Sequence, residues 1–269
     1  MDVNRYLELV RKKQPLIHHI TNWVTIYDCA QVVKSFGASP VMAHAAEESA
    51  DMASIASSLV LNVGTLTPEL IESMKSAVLA ANHRDVPVLL DVCGAGATGF
   101  RDRMCFKLID ETRIDIIKGN ASEVARIAGA DVQTKGVDSG AVSGDLAKIA
   151  AGLAVERNCT VIITGKDDII TDGKKCITVN NGHELMAHVV GTGCMAASVA
   201  GTFAAVDPGN LAEAAAAGLC CFGIAAELAV SLANGPGTFT GFLFDAVYSL
   251  DKEHVDRMKR TGQCAVTTL

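Results

Sequence analysis

The chain of 269 residues is 49% hydrophobic, which is enough apolar sequence for one large α/β domain with a sizeable core or for two small ones. Its formal net charge of −7 and the lack of a basic cluster argue against nucleic acid and against anionic membrane surfaces as partners. No linker, low-complexity tract or internal repeat interrupts the sequence, so we expect a single domain over residues 1–269.

The chain opens at residues 1–15 with the pattern of an ordinary amphipathic helix, and no apolar signal segment precedes it. Its nine cysteines are odd in number, follow no regular spacing and form no C-x-x-C motif. These features predict free thiols in a cytoplasmic protein.

Beyond this helix, short apolar runs alternate with helical patterns. The runs of strand length are residues 15–20, 39–43, 58–64, 86–92, 113–120 and 159–165. The helical patterns between them are residues 23–36, 47–57, 68–81, 121–128 and 143–157. Most of the runs are apolar throughout, as is typical of strands that are buried on both faces. The alternation predicts an α/β fold with a mainly parallel central sheet and helices on both faces.

The pattern changes after residue 165. The stretch DIITDGKKCITVN, residues 168–180, predicts a hairpin that turns at Asp172-Gly173. A short apolar strand is then expected to lead into Gly191, and the last third is mostly helical. The apolar tract 211–233 contains two glutamates, which a bilayer span tolerates poorly, so a buried helix is the better interpretation.

Polar residues collect where the predicted strands end. They are Asn62, Gly64, Thr65, Asp91, Lys118, Gly119, Asn120, Thr164, Gly165 and the stretch Gly191 to Cys194. In an open parallel sheet, ligands bind at the carboxyl ends of the strands. The clustering therefore predicts a binding site at this edge of the sheet.

The stretch HVVGTGCMAASVAGTFAA, residues 188–205, predicts an anion site. A glycine turn that opens directly into a helix points several backbone N–H groups at one spot. Cys194 lies at the mouth of this helix, where a thiol pKa falls from about 8.5 toward neutrality. Cys194 is then either a base beside the anion or a small residue that only fits the packing.

Two carboxylates indicate a Mg²⁺ site. Asp91 and Glu123 are expected to face the same crevice, and Mg²⁺ prefers oxygen ligands and keeps much of its hydration shell. Asn120 and Glu123 also have the spacing of a capping box, so a purely structural role is open. Lys118 is suited to contact a nucleotide phosphate as a point charge.

Two other patterns predict no site. The segment GAGATG, residues 94–99, fits a dinucleotide fingerprint, but three strands precede it and Asp91 would repel a pyrophosphate unless a cation intervened. We interpret it as a glycine-rich loop beside a metal-linked carboxylate. The adjacent His18 and His19 face opposite sides of a strand and cannot bind one ion, and no zinc site is expected.

Six stretches together resemble hydroxyethylthiazole kinases, which belong to the ribokinase-like superfamily. They occur in the right order over roughly residues 5–250, at 18–48, 59–67, 89–98, 117–123, 189–197 and 235–239. The stretch 18–48 is the most specific, because the wider superfamily shares only the glycine turn. Two departures occur. Val92-Cys93 replaces the usual Pro-Val and is not expected to affect the chemistry, whereas Lys118 replaces the usual Arg and loses its bidentate fork.

The resemblance implies phosphorylation of the primary hydroxyl of 5-(2-hydroxyethyl)-4-methylthiazole by ATP and Mg²⁺, in thiamine synthesis or salvage. It also implies a homotrimer with its sites at subunit contacts. Together with the residue patterns, the resemblance assigns Cys194 as the base and Gly191, Thr192 and Gly193 as the anion hole. It assigns Met42, Gly191 and Asn22 to substrate binding. It assigns Lys118, Thr164 and Asn120 to ATP binding, and Asp91 and Glu123 to metal binding.

Two alternative functions stay open at this point. Related ribokinase-like enzymes, such as a hydroxymethylpyrimidine kinase or a nicotinamide-nucleotide-hydrate repair enzyme, normally carry Asp at the position of Cys194 and lack the stretch 18–48. A ligand-binding module of the same fold without activity would need neither Cys194 nor the two carboxylates.

Overall fold

The computed structural model describes residues 1–130 and 143–264, so the last residues of the expected domain, 265–269, lie outside it. Within these ranges the strands are β1 Leu16–Ile20, β2 Ser39–Met42, β3 Ser58–Asn62, β4 Val88–Asp91, β5 Ile116–Asn120, β6 Thr160–Thr164, β7 Asp168–Thr171, β8 Cys176–Val179 and β9 Thr261–Gln263. They form one sheet in the order β2-β1-β3-β4-β5-β6-β7-β8-β9.

The first six strands are parallel to one another, and β7, β8 and β9 run antiparallel to their neighbours. The mainly parallel sheet is thus confirmed. The hairpin is confirmed as well, because β7 and β8 pair around a turn in which Gly173 has a φ of +82°. The short strand β9, which the apolar pattern does not predict, adds the C-terminal segment to this end of the sheet.

Helices pack on both faces of the sheet. They are α1 Val3–Lys13, α2 Ile26–Ser35, α3 Ser49–Ile55, α4 Pro68–His83, α5 Gly99–Glu111, α6 Ala121–Ile127, α7 Ser143–Arg157, α8 Thr192–Ala204, α9 Leu211–Val230, α10 Pro236–Ser249 and α11 Lys252–Met258. One hydrophobic core joins α1, α2, α8, α9 and α10 to the sheet, and a second core joins α3 to α7 to its other face.

The apolar tract 211–233 forms α9, which lies inside the first core. Among the described helices it is the one long and apolar enough to cross a membrane, but most of its side chains are buried against the rest of the protein. It is therefore the buried helix that the sequence predicts.

The expected strand before Gly191 is wrong. The chain forms a short 3₁₀ helix there, Glu184–His188. His183 begins it by accepting a hydrogen bond from the N–H of Leu185 on Nδ1. The hydroxyl of Thr192 then closes the segment by donating to the carbonyl of Met186 at 2.8 Å. These local bonds keep the chain in a tight turn instead of an extended strand.

Helix α8 lies directly on the sheet because a glycine allows the approach. A Cβ on Gly201 would stand 2.3 Å from Cγ2 of Val60 in β3, so no other residue fits without displacement. This contact aligns the first turn of α8, with Cys194, over the end of β3.

The expectation of free thiols fails for one pair of cysteines. Cys176 in β8 and Cys264 after β9 form a disulfide with a sequence separation of 88 residues. The other cysteines in the described ranges are free, and they include Cys93 and Cys194.

Candidate active site

The carboxyl ends of the central strands bring three polar side chains together. Asn62 in β3 lies opposite Asp91 in β4, and Asp91 lies opposite Lys118 in β5. The amide Nδ2 of Asn62 donates to Oδ2 of Asp91 at 2.9 Å, and Nζ of Lys118 lies 3.3 Å from the same oxygen. The strand order therefore produces the cluster that the sequence predicts at this edge.

Cys194 lies immediately above this cluster, at the start of α8. Its Sγ accepts hydrogen bonds from the side-chain amides of Asn22 and Asn62, each at 3.3 Å. Asn22 is fixed in turn, because its amide donates to Oδ1 of Asn62 at 3.0 Å and its Oδ1 accepts from the N–H and the hydroxyl of Thr25. Two neutral donors thus point at the sulfur, which is the environment that favours a thiolate.

The pKa of the Cys194 thiol is lowered from 9.0 to about 5. The largest cause is a hydrogen bond from the thiol of Cys93. Thr25, the charge of Lys118 and the amide of Asn22 add to this effect, and together they outweigh burial, which acts the other way. The helix N-terminus works in the same direction. These contacts therefore favour the thiolate form of Cys194.

The expectation that Val92-Cys93 does not affect the chemistry stays a prediction. β4 ends at Asp91, and Cys93 in the turn that follows is close enough to lower the pKa of Cys194. Its own pKa is raised well above the ordinary range, because it hydrogen-bonds to Cys194 and is buried near other negative charges. This direction favours the protonated thiol of Cys93, which can act as a hydrogen-bond donor to the sulfur of Cys194.

Lys118 and Asp91 form a buried ion pair, with exposures of 4% and 1%. Burial raises the pKa of Asp91 to about 7, against the opposing effect of Lys118. Burial lowers the pKa of Lys118, but the charges of Asp91 and Glu123 outweigh it, and the net pKa is raised. Lys118 is thus a fixed positive charge, and Oδ1 of Asp91 is buried without a hydrogen-bond partner among the described residues.

Glu123 closes a capping box at the start of α6. Its Oε2 accepts from the N–H of Asn120 at 2.7 Å, and Oδ1 of Asn120 accepts from the N–H of Glu123 at 2.9 Å. Its Oε1 accepts from the N–H of Gly94 at 2.7 Å, which ties the glycine-rich loop to the end of β5. The N–H of Gly96 donates to Asp102. Because these N–H groups are already bonded, the loop does not bind a pyrophosphate as a dinucleotide fingerprint does.

The glycine turn before α8, called the anion cradle below, is suited to bind an anion through its backbone N–H groups. Gly191 has a φ of +94°, and a Cβ there would stand 2.5 Å from Cγ2 of Thr25. The first helical bond runs from the N–H of Met195 to Gly191, and the described residues provide no acceptor for the N–H groups of 192–194. A Cβ on Gly193 would stand 3.5 Å from Nζ of Lys118. Three N–H groups without an acceptor among the described residues thus lie at the start of α8, with the ammonium of Lys118 close to Gly193.

A cavity of about 1180 Å³ extends from this turn. Thr192 and Gly193 line one end, and Asn120 and Thr164 line it where β5 and β6 end. The rest of the wall is formed by residues 165–168, by residues 180–184 and 186–188, by Ala196 and by Leu219, Phe222 and Gly223 of α9. The volume is sufficient for a nucleotide. Lys118 does not line this cavity, and its ammonium lies at the anion cradle instead.

Met42 lies at the opposite end of the same sheet edge. It ends β2, pairs with His19 in register and is partly exposed. The next residues bind to the segment after β1, because Nε2 of His44 accepts from the N–H of Thr21 and the ring of His44 stacks on Trp23 at 4.8 Å. Three strands, β1, β3 and β4, thus separate Met42 from Asn120 at the end of β5, which lines the cavity.

The comparisons with known proteins identify this arrangement. Residues 7–253 match the model of the hydroxyethylthiazole kinase family. A hydroxyethylthiazole kinase of Methanosarcina acetivorans is 53% identical over 257 residues, which is 96% of this chain and 98% of the relative. A solved structure of hydroxyethylthiazole kinase from Pyrococcus horikoshii OT3 has a TM-score of 0.90 and 36% identity, and the match covers 98% and 99% of the two chains. The chain belongs to the hydroxyethylthiazole kinase family.

The ribokinase-like fold is confirmed at a larger distance. A ribokinase-like superfamily protein from Enterococcus faecalis V583 has a TM-score of 0.58 at 14% identity, over 89% of this chain and 87% of that one. Such low identity shows the fold alone. Membership of the hydroxyethylthiazole kinase family rests on the closer matches, and it removes the basis for assigning the chain to another ribokinase-like family.

Some residues around Cys194 are missed by sequence reasoning. Asn62 stands in the predicted cluster, but its donation to Cys194 becomes visible only in three dimensions. Cys93 carries the one available signal, since it replaces a residue that is usual in the hydroxyethylthiazole kinase family close to Asp91. Thr25 gives no signal, because its contact with Gly191 joins segments more than 160 positions apart.

Proposed function

We propose that this chain transfers the γ-phosphoryl group of ATP to the primary hydroxyl of 5-(2-hydroxyethyl)-4-methylthiazole, a reaction of thiamine synthesis or salvage. The observation that carries the proposal is the amide-bound thiol of Cys194 beside an anion cradle, in a chain that belongs to the hydroxyethylthiazole kinase family. The name of the Methanosarcina acetivorans relative, hydroxyethylthiazole kinase, supports the same substrate.

Cys194 is the catalytic base in this proposal. Its thiolate takes the hydroxyl proton of the alcohol as the oxygen attacks phosphorus. The N–H groups of Thr192, Gly193 and Cys194 and the ammonium of Lys118 bind the equatorial oxygens of the phosphoryl group. A thiolate with a pKa of about 5 is a weak base. It is sufficient because phosphoryl transfer depends mainly on positioning and charge neutralisation.

ATP occupies the cavity that starts at Gly193, with Asn120 and Thr164 on its wall. Lys118 meets the phosphate end, because its ammonium faces the cradle. The thiazole lies on the other side of Cys194, where Gly191, Asn22 and Met42 border the site. A methionine packs well on a flat sulfur-containing ring, which suits an apolar substrate with a single hydroxyl.

Asp91 and Glu123 fit a hydrated Mg²⁺. The unpartnered buried Oδ1 of Asp91 is an oxygen ligand without another role in the described residues, and the carboxylate of Glu123 stands next to the same ion pair. They would hold the ion mainly through water, as Mg²⁺ prefers. Bound there, it would neutralise charge on the phosphates of ATP.

We further propose one domain over residues 1–269, a cytoplasmic location and a homotrimer. Large apolar side chains are exposed close to the site, and they support a subunit contact there. They are Trp23 at 57%, Val24 at 66%, Tyr27 at 70% and Val190 at 73% exposure. Isolated exposed apolar residues are common, but a patch beside a glycine turn and a substrate wall is typical of an interface.

Turnover with a panel of alcohols tests the proposed function. ADP release is measured with Mg-ATP and the hydroxyethylthiazole, a hydroxymethylpyrimidine, pyridoxal or ribose. We expect efficient turnover of the thiazole and very weak turnover of ribose, because each buried unpaired hydroxyl costs about 1–3 kcal/mol. Faster turnover of any other alcohol would refute the substrate assignment, and no turnover at all would favour a binding module.

A further inference from the structure

The far wall of the cavity is a turn without regular structure. Asn180, Asn181 and Gly182 follow β8 directly and all line the cavity. Gly182 has a φ of +137°, a conformation that other residues rarely adopt. The backbone of this turn is thus held in its place by side chains from other elements, and their contacts determine the shape of the wall.

Glu227 of α9 is the first of these side chains. Its Oε1 accepts from the N–H of Gly182 at 2.8 Å and from Nδ2 of Asn181 at 3.0 Å. The carboxylate side chain is 14% exposed, so its charge needs a counter-ion.

Arg260 supplies this counter-ion from the C-terminal segment. Its Nη1 donates to Oε2 of Glu227 at 3.0 Å and its Nη2 donates to Oε1 at 2.6 Å. The same guanidinium donates to the carbonyl of Asn180 through Nε at 3.2 Å and Nη2 at 3.0 Å. In the backbone, the N–H of Arg260 donates to Oδ1 of Asn181 at 2.7 Å and the N–H of Asn180 donates to the carbonyl of Arg260 at 2.9 Å. One arginine therefore fixes both the carboxylate and the turn.

The rest of the C-terminal segment does not depend on this arginine. β9 pairs with β8, and Cys264 is bonded to Cys176 beyond it. Removal of the guanidinium is thus expected to loosen the turn while the segment stays attached. The backbone bonds of residue 260 and the bond from Nδ2 of Asn181 to the carbonyl of Met258 remain. Arg260 also lies outside the residues 7–253 that match the family model.

We propose that Arg260 and Glu227 are positioning residues for the nucleotide: by fixing the turn 180–182 they set the affinity for ATP without contacting the reacting atoms. This inference rests on the proposed placement of ATP in the cavity. It gives the C-terminal segment a role in nucleotide binding that the thiazole side of the site does not share.

The test compares Arg260→Ala, Arg260→Lys and Glu227→Gln with Lys252→Ala. Lys252 is the matched control, because it forms an exposed ion pair with Asp256 in the same C-terminal segment but forms no hydrogen bond to the turn among the described residues. For each variant, KM for ATP, KM for the thiazole, kcat and Tm are measured. Hydrogen exchange of the unmodified protein, with and without Mg-ATP, shows whether the nucleotide protects residues 180–188.

We expect Arg260→Ala and Glu227→Gln to raise KM for ATP by about 2- to 30-fold, the range that contact networks of this kind usually produce. KM for the thiazole and kcat are expected to change less than about twofold. Arg260→Lys keeps the positive charge but loses the bidentate guanidinium contact with Glu227, so it should keep only part of the affinity for ATP. Lys252→Ala should behave as the unmodified protein.

Three results would overturn the inference. A lower Tm with an unchanged KM for ATP would show a structural role only. An equal rise in both KM values would show a general loosening of the site, and an equal effect of Lys252→Ala would show that the contacts of Arg260 are not specific. If Mg-ATP fails to protect residues 180–188 in the unmodified protein, the proposed placement of ATP fails instead.

Discussion

The ionisation of Cys194 gives the sharpest prediction about the chemistry. Its pKa is lowered from 9.0 to about 5, with the Cys93 thiol as the largest cause. If the thiolate is the base, kcat/KM for the thiazole is flat between about pH 6 and pH 8 at saturating Mg²⁺, because a bound cation keeps Asp91 ionised below its pKa of about 7. This kcat/KM falls about tenfold per pH unit below pH 5, because protonation then removes the base. An ordinary thiol would instead place this decrease near pH 8.5.

Two substitutions follow from the same geometry. Cys194→Ala removes the base and should lower kcat by about 10²- to 10⁴-fold, whereas Cys194→Asp should keep substantial activity because a carboxylate can accept the proton. Cys93→Ala removes the largest cause of the low pKa of Cys194. The acidic limb of the pH profile, which is the decrease in kcat/KM at low pH, should therefore move to higher pH. Cys105→Ala, which changes a buried free cysteine of α5, is the matched control and should leave the limb in place.

The assay pairs ADP release with the rate of alkylation by iodoacetamide, each measured from pH 4 to pH 9. Alkylation reports the thiolate directly, and its midpoint should coincide with the kinetic limb. A midpoint near pH 8.5, or a Cys194→Ala variant that turns over at the rate of the unmodified protein, would refute the role of Cys194 as base. A limb that Cys93→Ala does not move would refute the hydrogen bond as its cause.

Four other predictions follow from the structure. Gly191→Ala should lower kcat strongly and lower the free energy of unfolding by about 1–3 kcal/mol, measured by urea titration, because the residue has a φ of +94° and its Cβ would meet Thr25. Glu123→Gln and Asp91→Asn should each raise the Mg²⁺ concentration needed for half-maximal rate. Asp91→Asn should also lower the free energy of unfolding by about 3–5 kcal/mol, since it leaves Lys118 buried without its partner. Unchanged Mg²⁺ titrations would remove both residues from the metal site. Met42→Ala should weaken thiazole binding by about 0.3–1.5 kcal/mol in calorimetry and leave ATP binding intact, and the opposite result would show that the pocket is misassigned. Reduction of Cys176–Cys264 should lower the free energy of unfolding by about 2–4 kcal/mol, with Cys176→Ser as the variant that no longer responds to reductant.

The parts of the fold that were predictable are those with a local cause. Apolar runs and helical periodicity define the parallel sheet, and Asp172-Gly173 defines its hairpin turn. The segment before Gly191 was not predictable, because the hydroxyl of Thr192 and the ring of His183 outweigh its apolar composition. The disulfide was not predictable either, since the two cysteines meet only through the pairing of β8 with β9.

The same distinction holds for the candidate site. Strand ends can be located from sequence, so the proximity of Asp91 and Lys118 follows once the sheet is assumed to be parallel. The ionisation state of Cys194 cannot be predicted from sequence in this way. It depends on the directions of the side chains of Asn22, Asn62 and Cys93, which come from three different strand ends.

The order of the strands also accounts for why the site is distributed over so much of the chain. An in-line transfer needs the attacking oxygen and the leaving oxygen on opposite sides of phosphorus. Along the sheet edge, β2 carries Met42 at one end and β6 carries Thr164 toward the other, with Asp91 of β4 between them. The first turn of α8 lies over the middle of this edge, where Cys194 contacts Asn62. In the proposed placement, substrate, base, phosphate and nucleotide thus lie in one row along this edge. Met42, Asp91 and Thr164 come from different strands because neighbouring strands are spaced along that row, and Cys194 reaches it from the first turn of α8.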